Sequence, residues 1–373
     1  TTSVEVSEKE REKLIQQGLK LVAMHEVGHT LGLRHNFKGS SIASLRQINS
    51  AKPRGRRSAT TSVMDYVPVN IVPKGEFQGP YYPSQLGDYD YWAINYGYRP
   101  VSGNSPEAER VSLRKIASRS GESVLAFATD EDTMPGDPDP LSNRFDLGND
   151  PIAFAQQRSK VVQELIPQLI ERFTGDDAGY DRVRQAFGVL LSAHGQANYF
   201  ASRLIGGLYS SRSHREDPRA VLPFRVVDAG QQRKAMSLLT EQVFSDKSYQ
   251  FPPEFYNQLV TTRWIHWGAA DVDRPDYPVH EAVLMWQKRM LQQLLDSRTL
   301  TRLADNEMKV SPEEDRFTSA ELLRTLTNAI YSEVYEFKTG QYSDREPAIS
   351  SLRRSLQVET LTALGKLALG SRG

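Results

Sequence analysis

His25-Glu26-Val27-Gly28-His29-Thr30-Leu31-Gly32-Leu33-Arg34-His35 governs how the rest of the 373-residue chain is read. His25 and His29 are four residues apart, so on a helix they share a face and offer two imidazole nitrogens to one metal ion. Glu26 projects beside that face, where a carboxylate can act as general base toward a metal-activated water without occupying the metal. Gly32 lets the chain leave the helix through a left-handed or otherwise strained turn, which swings His35 back as a third ligand. Three protein nitrogens leave a position open for water, the mark of a catalytic rather than a structural zinc.

Downstream stands Ser62-Val63-Met64-Asp65-Tyr66. The long HExxHxxGxxH motif followed by such a methionine turn resembles the metzincin metallopeptidases. The resemblance implies a zinc-dependent endopeptidase acting on peptide or protein substrates, with Met64 as an apolar floor beneath the imidazoles. It also implies that Tyr66 stabilises the oxyanion of the reaction; the alternative for Tyr66 is a core tyrosine whose hydroxyl finds a structural partner. Asn36, directly after the third histidine, fits none of the best-known metzincin subfamilies. The wider pattern is similar to a group of large bacterial zinc-dependent metalloproteases, through Gly79-Pro80-Tyr81-Tyr82 and the run Leu86-Gly87-Asp88-Tyr89-Asp90-Tyr91-Trp92-Ala93-Ile94-Asn95-Tyr96-Gly97-Tyr98. That likeness covers about residues 8–98 and implies a periplasmic, cell-envelope or secreted setting.

Composition bounds the alternatives. Hydrophobic content of 39% is enough for a sizeable core. The 46 basic and 46 acidic residues cancel, so no global field favours nucleic acid or anionic lipid. Cysteine is absent, which removes disulfides and thiol nucleophiles. No stretch has the length and apolarity of a membrane span, and no leader pattern is visible.

The capping box Ser7-Glu8-Lys9-Glu10 and apolar residues at helical spacing predict one helix over about 8–31, with Glu8 to Lys13 on a solvated face. In metzincins that helix follows an upper subdomain whose sheet edge binds extended substrate. Only Thr2 to Val6 are available here for a strand. The chain is therefore read as the C-terminal part of a longer polypeptide, with the missing N-terminal part as its partner. The expected fold is mainly α: residues 1–100 form the lower catalytic subdomain, 101–149 a linker with an acidic loop, and 150–373 an all-helical domain.

Within this frame, Ser40 to Ile48 predicts a short helix and Lys52-Pro53-Arg54-Gly55-Arg56-Arg57 a basic loop. Val67 to Pro73 reads either as a wall of the substrate pocket or as a core strand. Ser84 is expected to cap a helix through Tyr96, ended by Gly97. Ser105-Pro106 starts another helix, and Val124 to Ala128 suggests a strand. The carboxylates of Asp130-Glu131-Asp132, Asp137, Asp139, Asp146 and Asp150 could hold calcium, line a solvated loop or face the active site. Helical periodicity continues over 151–173, with a kink or split near Pro167, and over 178–210, 229–244, 278–304, 319–337 and 346–369, with one short strand or hairpin near Val221 to Val227. His194, His214, His266 and His280 have no ligand spacing and read as ordinary histidines. Arg263, Trp264, His266 and Trp267 form an aromatic-basic group at a core edge or facing a partner. Two rival functions stay open: a zinc-binding chain without activity, and a helical scaffold.

Overall fold

Ser7 starts the first helix as expected, accepting a hydrogen bond from the Glu10 amide, and α1 runs Glu8–Thr30. The computed structural model describes residues 7–51, 58–175, 179–261, 274–336 and 339–370. Thr2 to Val6, with room for at most one short strand, the basic loop Lys52 to Arg57 and the group around Trp264 lie outside those residues. The described residues are mainly helical, and two short strands complete them. The chain divides into two compact units, residues 1–157 with 207–226, and residues 158–206 with 227–373.

In the first unit a 3-10 turn at Gly39–Ile42 and α2 (Leu45–Ile48) follow α1, where one short helix was expected. Next come α3 (Asp88–Tyr98) and α4 (Pro106–Ala117). The helix expected to begin at Ser84 starts instead after Gly87, because Asp90 reaches back to accept the Gly87 amide at 2.8 Å. A Cβ on Gly87 would overlap the Thr61 backbone, so glycine is required where α3 meets the methionine turn. The strand expected at Val124 to Ala128 is absent. A 3-10 turn at Ser123–Leu125 takes its place, and the carbonyls of Ala126 and Ala128 bond instead to Asn36 and Phe37. Residues 67–73 also form no strand: Gln78 takes the Asn70 carbonyl and the Val72 amide, as a neighbouring strand would. Residues 101–149, expected as a linker, belong to this unit, as does the antiparallel pair β1 (Leu208–Ser210) and β2 (Phe224–Val226).

The division between the units falls within α5 (Pro151–Leu165). That helix tightens into a 3-10 turn at Ile166–Gln168, where Pro167 has no amide hydrogen to donate, and resumes as α6 (Leu169–Phe173). The second unit continues with α7 (Asp181–Ser202), α8 (Ala229–Leu239), α9 (Pro253–Tyr256), α10 (Val279–Leu295), α11 (Ser297–Glu307), α12 (Ser319–Ile330), α13 (Ser332–Tyr335) and α14 (Ser351–Leu369). The single helix expected over 278–304 is two, because Asp296 takes an extended conformation and caps α11 through the Arg298 amide. Trp286, Met290, Leu291 and Leu294 make α10 the buried centre, packed on α7 and α14. Buried Arg353 donates to the Ala329 and Ile330 carbonyls at 2.8 Å, satisfying the end of α12. His194 is an ordinary core histidine, bonded to Ser159 and to the Gln242 carbonyl.

Candidate metal centre

Helix α1 ends through the exit its sequence predicts. Gly32 has φ +82°, the Leu33 amide donates to the Gly28 carbonyl and the Gly32 amide to the His29 carbonyl. That pair of bonds is the Schellman termination, and it redirects the chain so that His35 returns toward His25 and His29. The three rings gather with centroids 4.7 to 5.3 Å apart, and one nitrogen from each lies within 4.8 Å of the others.

Their protonation follows from what surrounds them. His25 Nδ1 lies 2.8 Å from the Val63 carbonyl, His29 Nδ1 2.9 Å from the Leu33 carbonyl, and His35 Nδ1 2.9 and 3.1 Å from the Asp130 carboxylate. Carbonyl and ionised carboxylate oxygens only accept, so each Nδ1 carries the proton and each Nε2 is left with a lone pair. Two of these lone pairs, on His25 and His29, stand 3.0 Å apart, and His35 Nε2 is buried without a partner. Three converging imidazole lone pairs fit the nitrogen-rich coordination of zinc. Burial holds the His25 pKa below its ordinary value, His29 and His35 push the same way, and the Val63 carbonyl and Glu26 oppose them. The neutral, coordinating form is thereby favoured.

Glu26 is exposed on α1 beside His25. The Tyr66 ring is half-buried, with centroids 5.2 Å from His25 and 4.7 Å from His35. Met64 is fully buried, and a Cβ built on Gly28 would overlap its sulfur. The methionine turn is held from behind by Asp90, which accepts from Ser62 Oγ at 2.7 Å and the Val63 amide at 3.0 Å. Burial raises the Asp90 pKa, against three hydrogen bonds that lower it. Asp65 accepts the Ser40 amide at 2.6 Å, and its other oxygen has no hydrogen-bond partner. Burial, with Asp146 nearby, pushes its carboxyl well above the usual range.

Asn36 is a buried tie. Its amide donates to the Met64 carbonyl, its side-chain nitrogen to the Ala126 carbonyl, and its side-chain oxygen accepts from the Lys38 and Ala128 amides. Within the acidic stretch Asp130 meets the triad, and the other carboxylates meet protein donors beside it. Asp130 takes His35 and Arg144, Glu131 takes Arg34, Asp132 the Thr129 amide and Arg212, and Asp139 takes Lys38 and Ser210. Ser40 and Asn143 donate to Asp146. With those oxygens committed to protein donors, the histidine triad is the grouping of three or more such side chains able to hold an ion among the described residues. Burial works to raise the Asp130 pKa, but the His35 hydrogen bond and the charges of Arg144 and Arg34 outweigh it and hold the carboxyl below its ordinary range.

Sequence reasoning assigns no role to Gly28 or to Phe145, whose ring stacks on Tyr66 at 5.6 Å, and names Asp130 within the acidic stretch without pairing it to His35. A glycine inside a helix signals a packing reason and marked the first. No local pattern marked the other two.

Comparison with known proteins agrees with this geometry. The model of a family described as Met-zincin matches residues 7–337, more than half of the chain. No curated protein and no solved structure matches. With the three histidines and the methionine turn assembled as above, the chain belongs to the Met-zincin family.

Proposed function

We propose that this chain is a zinc-dependent endopeptidase and that residues 1–100 contain the lower subdomain of its catalytic domain. The observation that carries the reading is the convergence of three Nε2 lone pairs, each fixed by an Nδ1 hydrogen bond. His25, His29 and His35 would hold the ion, and zinc bound there supplies a Lewis acid for the scissile carbonyl and for water. Glu26, exposed at the edge of the triad, removes a proton from the attacking water and delivers it to the leaving amine. The Tyr66 hydroxyl donates to the carbonyl oxygen as charge develops on it. Met64 supports the triad from beneath through its packing on Gly28.

The surface of α1 supports a further part of the proposal. Ile15, Leu19 and Val22 are 50%, 67% and 58% exposed and share a helical face with Glu26. Such an apolar line leading to the proposed base is suited to cover by an upper sheet, supplied by an N-terminal part of the same polypeptide. A periplasmic, envelope or secreted setting belongs to the same proposal and rests on the family resemblance alone.

The test is Glu26→Gln in the zinc-loaded protein, assayed on a mixed peptide library with and without the upstream region supplied in trans. Turnover is expected to fall by about 10²- to 10⁴-fold with zinc content unchanged. Cleavage at the parent rate overturns the mechanism. Zinc binding without cleavage in either condition favours the non-catalytic rival.

A further inference from the structure

The three histidines are not held alike. His25 and His29 stand on α1, whose backbone fixes their spacing, and their Nδ1 atoms meet backbone carbonyls. His35 lies beyond the helix exit, and its Nδ1 meets a side chain from 95 residues downstream, the Asp130 carboxylate. Rotation of the His35 ring would carry Nε2 away from the other two nitrogens. What opposes rotation is the Asp130 hydrogen bond together with ring contacts to Phe37 and Tyr66, centroids 5.2 and 4.7 Å away.

Asp130 is itself oriented. Arg144 donates to its Oδ1 at 2.9 Å and to Thr133 Oγ1 at 3.1 Å, and Thr133 in turn donates to the Asp130 carbonyl at 2.9 Å. Asp132 closes the same 3-10 turn by accepting the Thr129 amide at 2.7 Å. The Asp130 side chain is 40% exposed, so this network does not fill core space. Its geometry serves the ring it faces.

We infer that Asp130 is a positioning residue of the metal centre: it holds His35 in the Nδ1–H tautomer with Nε2 directed at the ion, and Arg144 keeps the carboxylate in place. Asp130 lies outside the group of three ligand side chains and acts through His35. A carboxylate behind a metal-bound imidazole fixes its orientation and raises its basicity. The inference rests on the proposed three-histidine site, and it moves the edge of that site into the acidic turn.

The experiment measures Zn²⁺ affinity of the full chain by competition with a chromophoric chelator, in the parent, Asp130→Asn, Asp130→Ala and Arg144→Met. Metal-free melting temperatures and imidazole ¹⁵N spectra accompany each. Asparagine retains an acceptor for Nδ1–H without the charge, whereas alanine removes both. Affinity is therefore expected to fall in the order parent, Asp130→Asn, Asp130→Ala, with Ala weaker than the parent by about 10- to 100-fold. Asp130→Ala is expected to show His35 partly in the Nε2–H tautomer, and Arg144→Met an intermediate loss of affinity. Melting temperatures should stay close to the parent value. Equal affinity in parent and Asp130→Ala overturns the inference, as does an affinity loss explained by a collapse of the metal-free fold with the tautomer unchanged. A parent that binds no Zn²⁺ is a different result, since it overturns the three-histidine site itself.

Discussion

The sulfur of Met64 occupies the space that a Cβ on Gly28 would need. Glycine inside α1 is thus the price of bringing the methionine turn directly against the helix that carries His25 and His29. Met64 is fully buried, so its side chain has little room to give way. Gly28→Ala is expected to cost about 1–3 kcal/mol of overpacking, partly offset by the ~1 kcal/mol helix propensity gained on replacing glycine. Gly188→Ala is the control, since Gly188 also lies inside a helix but nothing stands within 4 Å of its added Cβ. The two substitutions should shift the urea midpoint in opposite directions. A stabilised Gly28→Ala would show that Met64 is not wedged there.

The difference between the legible and illegible parts of this centre is one of sequence range. His25, His29, Gly32 and His35 act through helix period and helix exit, which the eleven residues from His25 to His35 specify, and α1 and its cap follow the same local rules. Asp130 meets His35 across 95 residues, and nothing near either residue records the pairing. Its carboxylate stands among several in one stretch, where charge density leaves calcium, solvent and the active site open as what it faces. Short extended segments were misread for a related reason. Val124 to Ala128 has strand composition, yet its carbonyls bond to Asn36 and Phe37, a partnership that composition does not encode.

A buried ion pair fixes the chain just beyond the third histidine. Lys38 and Asp139, 7% and 1% exposed, meet at 2.5 Å, and Lys38 also donates to the Ser210 carbonyl at 2.6 Å. Removing one partner strands the other charge in the interior, so Lys38→Met is expected to destabilise the first unit by about 3–5 kcal/mol. Arg114 and Glu216 form a pair at 2.8 Å with both side chains mostly exposed. Arg114→Ala should therefore change stability by no more than ~1 kcal/mol. Chemical denaturation of the two variants checks the contrast, and equal effects would refute it.

Asp65 gives stability a definite pH dependence. Its carboxyl is raised in the folded protein by burial and by Asp146, whereas in the unfolded chain it titrates near an ordinary value of about 4. Above that value the folded state binds more protons than the unfolded state, so this group's contribution falls as pH rises, until the raised folded pKa is passed. Asp65→Asn keeps an oxygen to accept the Ser40 amide and cannot ionise. Its melting temperature relative to the parent should increase from pH 4 upward and level off beyond the folded pKa. A constant difference between the two proteins across that range would exclude the assignment.

Phe145 is the non-glycine residue with positive φ among the described residues, at +69°. Its amide donates to the Tyr66 carbonyl at 2.7 Å, and its half-exposed ring stacks on the Tyr66 ring. A left-handed conformation costs an L-residue with a Cβ about 1–2 kcal/mol. That cost separates two truncations. Phe145→Ala loses the ring and retains the strain, while Phe145→Gly loses the ring and relieves it. Glycine at position 145 is therefore expected to be more stable than alanine by about 1 kcal/mol, the reverse of their usual order within a helix or strand. Both variants lose the aromatic contact with Tyr66, so the comparison isolates the backbone. Equilibrium unfolding of the pair gives the sign, and alanine at or above glycine would mean that residue 145 is not held at positive φ in solution.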